Sequence, residues 1–107
     1  MSYAYISPKA FHEKLNAWSP EQGMIVDVRE RYEWDYYHLD ESILMPMNTI
    51  PGRLEELSRE GQLFIICAHG VRSETVSHFL AERGFDNVVN VNGGMAAFAE
   101  LRGFQYD

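Results

Sequence analysis

The chain has 107 residues, 46% hydrophobic and 23% charged, which fits one compact globular domain over residues 1–107 and excludes a disordered or fibrous chain. Nine Lys+Arg stand against 16 Asp+Glu, a formal net charge of -7, so the clustered cations that phosphate binding needs are missing and no nucleic-acid partner is expected. The single cysteine excludes an intramolecular disulfide and any multi-cysteine metal site.

Short apolar runs alternate with helical stretches, the pattern of parallel strands joined by helices. Ser7-Pro8 reads as a helix start, with Ser capping free N–H groups and Pro at the first helical position. Phe11, Leu15 and Trp18 then fall on one helix face. After Gly23, Met24 to Val28 is predicted as a buried strand. Arg29 to His38 is charged and aromatic, a short helical turn and loop, and Ile43 to Met45 is a short strand. Pro51 to Ser58 is predicted as a helix, with Leu54 and Leu57 three apart.

Gln62 to Cys67 is the clearest strand, apolar on both faces as a central parallel strand should be. A helix is predicted over Ser73 to Arg83, with Val76, Phe79 and Leu80 inward and Gly84 at its C-cap. Val88 to Val91 is another strand, Gly93-Gly94 a tight turn, and Met95 to Leu101 the last helix. The longest apolar run, Leu63 to Ala68, is too short to cross a bilayer, so no membrane partner is expected. The start MSYAYISPKAF lacks the charged and apolar stretches of a secretory signal, and a reducing cytoplasm is the expected home of the free thiol.

The chemistry concentrates in Cys67-Ala68-His69-Gly70-Val71-Arg72-Ser73. The cysteine ends the strongest strand and a helix follows within a few residues, the position where open α/β sheets bind ligands. A loop feeding a helix N-terminus can turn its N–H groups inward as an anion nest. Gly70 relaxes the backbone at the tightest point, Arg72 adds a fixed cation, and Ser73 can cap the helix. A thiolate or a persulfide on Cys67 would be stabilised there. His69 is expected to point to solvent, with a role in tuning substrate choice. His12, His38 and His78 are too scattered for a metal site, so neither a metal nor an organic cofactor is expected. Tyr36 and Tyr37 could line the mouth of the site.

The loop resembles the rhodanese signature: Cys, two residues, Gly, one residue, Arg, Ser. Other segments are similar to that family in the same order along the chain. They are Tyr5-Ile6-Ser7-Pro8 with Phe11, Met24 to Glu30, Glu33-Trp34 with His38-Leu39, and Gly84-Phe85 with Val88 and Asn92 to Met95. Phe98 stands where the family often has tryptophan. The chain departs from the pattern at Tyr37, in place of glycine, and at Asp40-Glu41-Ser42, in place of Pro-Gly-Ala.

The resemblance implies a three-layer α/β/α fold around a parallel sheet of about five strands. It also implies a sulfurtransferase that moves a sulfane sulfur from thiosulfate or a low-molecular-weight persulfide to cyanide, a thiol or a protein cysteine through a Cys67 persulfide. Backbone N–H groups from Ala68 to Arg72 would surround the sulfur, and Arg72 would hold the loop or the substrate anion. Asp27 and Arg29 resemble the family's polar pair at the sheet's edge, expected to order the neighbouring loops.

Two alternatives stand beside this. A Cys-Arg loop phosphatase or arsenate reductase has five residues between cysteine and arginine, whereas this chain has four: Ala68, His69, Gly70 and Val71. A rhodanese-like binding or regulatory module is the other, although here the cysteine and arginine are both present.

Overall fold

The computed structural model describes residues 2–103. Five parallel strands, β1 (Ala4–Ile6), β2 (Gly23–Asp27), β3 (Ser42–Leu44), β4 (Gln62–Ile66) and β5 (Val88–Val91), lie in the order β1-β5-β4-β2-β3. Four helices connect or follow them: α1 (Pro8–Asn16), α2 (Arg31–Tyr36), α3 (Val71–Glu82) and α4 (Gly94–Leu101). The expected fold class, a parallel five-stranded sheet with helices, is the one observed. None of the helices among the described residues is long and apolar enough to cross a membrane.

Strand alternation divides the core into two apolar layers. Leu63, Ile65 and Cys67 face one side of the sheet, where they meet Val76 and Leu80 of α3 together with Val26, Ile50 and Phe85. Phe64 and Ile66 face the other, against Phe11 and Leu15 of α1 and Met95 and Phe98 of α4. β4 is buried on both faces because it is the middle strand, which explains its unbroken apolar run. Cys67, the next residue, keeps the two-residue alternation and so turns toward the N-terminus of α3.

The start of α1 is as the sequence predicts: Ser7 Oγ accepts the N–H of Ala10 at 3.1 Å and Pro8 opens the helix. The helix predicted over Pro51 to Ser58 is not formed. In its place two 3-10 turns span Met47–Gly52 and Leu54–Glu56, joined through Arg53. Pro51 would be tolerated at the first position of a helix beginning there. It lies instead inside the turn Met47–Gly52, which begins four residues earlier and whose continuation as an α-helix its missing N–H and ring oppose. α3 also begins two residues earlier than predicted, at Val71, with Gly70 and not Ser73 as its N-cap.

Candidate active site at the cysteine loop

The loop between β4 and α3 folds back over the side chain that ends the strand. Gly70 makes this possible at φ +97°, a left-handed conformation costly for residues with a Cβ, and α3 starts immediately after it. The N–H of Gly70 donates to Cys67 Sγ at 3.0 Å and that of Ser73 at 3.2 Å. The thiol donates to Ser73 Oγ at 3.3 Å, and the Ser73 hydroxyl donates to the Gly70 carbonyl at 3.2 Å. Ser73 therefore sits inside the first turn of α3, buried beneath the sulfur, and does not cap the helix. Its N–H lies just beyond the Ala68–Arg72 span expected to supply the donors.

Cys67 is 1% exposed, and Ala68 is buried beside it. His69 and Val71 point to solvent, Val71 being 74% exposed. The side chains that face outward from the loop are thus an imidazole and an apolar one.

The base of the loop is held from the other side by the N-terminus of α4. Met95 donates its N–H to the Cys67 carbonyl at 2.8 Å, and Ala96 donates to the Ala68 carbonyl at 2.9 Å. Both carbonyls are thereby bonded to the first turn of α4. Gly94 packs so closely here that a Cβ would meet the Ala68 carbonyl carbon at 2.7 Å. The sequence pattern identified Gly93-Gly94 only as a turn; nothing local reveals that α4 buttresses a loop more than twenty residues earlier.

Arg72 does not stand alone as a cation. Its two terminal nitrogens donate to the two carboxylate oxygens of Glu33 at 2.8 and 2.9 Å, a parallel fork across 39 residues of chain. Glu33 also accepts the N–H of Glu30 at 2.9 Å, closing the first turn of α2. The Arg72 guanidinium, assisted by that N–H, holds the Glu33 carboxyl down at about 2, against the opposing effect of burial. Sequence reasoning missed Glu33 as a site residue. Its only local signal is its spacing of three from Glu30, and the Ser or Thr that makes a capping box legible is absent.

Asp27 and Arg29 form a buried ion pair at the carboxyl end of β2, at 2.8 Å between Arg29 Nη2 and Asp27 Oδ2, with side chains 0% and 1% exposed. β2 is an interior strand, between β4 and β3, so the pair lies under the loops and not at a side edge of the sheet. Arg29 Nη2 also donates to the carbonyl of Tyr37 at 2.7 Å. The pair thus pins the end of α2, which carries Glu33, to the sheet. Tyr36 is exposed, whereas Tyr37 is partly buried against the core. In the departing segment, the Ser42 hydroxyl donates to the Leu39 carbonyl at 2.7 Å, closing a turn over Asp40-Glu41.

The Rhodanese-like domain family matches residues 7–101. A rhodanese-like domain protein of Staphylococcus aureus has 37% identity and a TM-score of 0.80, covering 89% of this chain and 90% of that one. A rhodanese-related protein of Thermoplasma volcanium has 30% identity and a TM-score of 0.81, covering 95% of each chain. Among curated proteins, a tRNA uridine(34) hydroxylase of Chlamydia felis is 34% identical over 107 residues, covering 92% of this chain and 32% of that protein. This chain therefore spans about a third of the length of the curated relatives it matches. The cysteine loop, the parallel sheet and the extent of the match lead to one conclusion: the chain belongs to the rhodanese-like domain family.

Proposed function

We propose that this chain is a sulfurtransferase domain, working in a reducing cytoplasm, that carries a sulfane sulfur as a persulfide on Cys67. The observation that carries this is the pair of N–H donors, Gly70 and Ser73, at 3.0 and 3.2 Å from Cys67 Sγ at the N-terminus of α3. Oriented N–H groups and the positive end of a helix favour charge on that sulfur, first as thiolate and then as persulfide.

In the first step the Cys67 thiolate attacks the outer sulfur of a donor such as thiosulfate or a low-molecular-weight persulfide. A bond forms between Sγ and that sulfur, the donor's own S–S bond breaks, and sulfite or a thiolate leaves with the electron pair. In the second step cyanide, a thiol or a protein cysteine attacks the outer sulfur and the Cys67 thiolate departs. The two steps balance without a metal or an organic cofactor. Because these 107 residues hold one cysteine, a thiol acceptor lies outside them.

Intact-mass measurement after treatment with thiosulfate or an organic persulfide tests this. A gain of about 32 Da, removed by cyanide and absent from Cys67→Ser, is expected for one sulfur on one nucleophilic thiol. Serine is similar in size and far less nucleophilic at neutral pH, so the variant should fold and not transfer.

The similarity to tRNA uridine(34) hydroxylases favours a second reading, in which the Cys67 loop serves RNA modification and does not carry sulfur. The net charge of -7 opposes tRNA contact by this chain. No adduct from any sulfane donor, together with tRNA retention on filters at low salt, would put that reading first.

A further inference from the structure

Each arginine in the segments that build the site faces a carboxylate. Arg29 pairs with Asp27, Arg31 with Asp35 at 3.2 Å, and Arg72 with Glu33. The loop itself contributes no other permanent cation, since Ala68, Gly70 and Val71 are uncharged and His69 is exposed to solvent. Glu74, in the first turn of α3, adds another carboxylate, which accepts the Tyr5 hydroxyl at 3.2 Å. An anion approaching Cys67 therefore meets oriented N–H groups, a compensated guanidinium and the field of a chain at -7.

We infer that Glu33, by compensating Arg72 beside the cysteine loop, sets the donor class: singly charged organic sulfane donors, such as alkanethiosulfonates and organic persulfides, over the thiosulfate dianion. This rests on Cys67 being the sulfur carrier. The two donor types undergo the same displacement. With thiosulfate the Cys67 thiolate takes the outer sulfur and sulfite leaves; with methanethiosulfonate it takes the outer sulfur and methanesulfinate leaves. They differ by one negative charge, and Coulomb energy is linear in charge, so the dianion pays twice for every uncompensated carboxylate. Glu33 is a specificity-determining residue on this account and touches no reacting atom.

The test is steady-state transfer to cyanide by the full chain, comparing methanethiosulfonate with thiosulfate in wild type and Glu33→Gln. Glutamine keeps an oxygen for the Glu30 N–H and for Arg72 while removing the charge. At low ionic strength the variant should lower the thiosulfate KM about four- to tenfold. The thiosulfonate KM should fall only by about the square root of that factor, since its charge is half as large, and kcat should move less than either. Equal changes for both donors, or a thiosulfate KM unchanged or raised, would overturn the inference.

Should the variant fail to fold, the wild type still tests the donor preference itself through the ratio of the two KM values as salt is raised. Screening should lower thiosulfate KM relative to thiosulfonate KM; a ratio moving the other way overturns the inference. Competition by the added anion cancels in that ratio. A wild type that gains 32 Da from either donor keeps the sulfurtransferase reading whatever Glu33 does. One that gains nothing from both removes that reading and this inference together.

Discussion

The backbone N–H of Met95 donates to the carbonyl oxygen of Cys67 at 2.8 Å, so the first turn of α4 grips the residue that carries the thiol. With Ala96 on the Ala68 carbonyl at 2.9 Å, it engages the carbonyls of two successive residues at the start of the loop. Oxygens turned inward would repel charge on the sulfur, whereas the inward N–H groups of Gly70 and Ser73 attract it.

Gly94→Ala should therefore damage the site. Gly94 has φ +61°, and a Cβ would press on the Ala68 carbonyl carbon at 2.7 Å, which is backbone and cannot swing aside. The left-handed conformation alone costs roughly 1–2 kcal/mol for a residue with a Cβ. The expected outcome is a lower melting temperature and a rate of persulfide loading reduced by more than the loss of folded protein explains. Gly52→Ala, where a Cβ meets nothing within 4 Å, is the control and should leave both unchanged. Loading at the wild-type rate in Gly94→Ala would show that the carbonyl grip is dispensable.

The Asp27–Arg29 pair supports a prediction about stability. Arg29→Met leaves the Asp27 carboxylate buried without its guanidinium, and breaking a buried pair in this way costs about 3–5 kcal/mol. The double variant Asp27→Asn with Arg29→Met should recover part of that loss, because the stranded charge is gone. Urea unfolding of the three proteins measures it. Arg29→Met should also loosen α2 through the lost bond to the Tyr37 carbonyl, raising amide exchange over residues 31–37. A single variant as stable as the wild type would contradict the burial argument.

Glu33 makes stability depend on acid. Its carboxyl sits at about 2 in the folded chain against an ordinary value of 4.5, so the unfolded chain binds the proton more readily. The resulting stabilisation is complete above about 4.5 and is lost as pH falls from there to about 2. One such group changes unfolding free energy by at most about 1.4 kcal/mol per pH unit in that window, and part-exposed Arg72 makes the real slope shallower. Urea midpoints at pH 5 and pH 3 should therefore fall further in the wild type than in Glu33→Gln. Parallel loss in both proteins would mean that the Arg72–Glu33 fork contributes nothing to folding.

The amino-acid sequence by itself determined the class of fold and singled out the loop to which the chemistry is assigned by proposal, because both are written in local patterns. An unbroken apolar run marks β4 as the middle strand, Ser7-Pro8 marks the start of α1, and Cys67, Gly70, Arg72 and Ser73 carry the family spacing within seven residues. Two-residue alternation even fixes the face to which Cys67 turns. What failed locally did so where competing geometries were close: two tight turns, the first already begun at Met47, stand where a helix was predicted from Pro51, and Gly70 moved the start of α3 so that Ser73 became a partner of the thiol and not a cap. Only the tertiary structure decided which charges cancel and which backbone groups meet. Glu33 and Arg72 are 39 residues apart, and Met95 reaches Cys67 across 28, through contacts that depend on how α2 and α4 pack at the carboxyl ends of the strands. Composition counts charges without pairing them, and backbone donors have no residue signature, so these two relationships become visible only once the sheet brings the loops together.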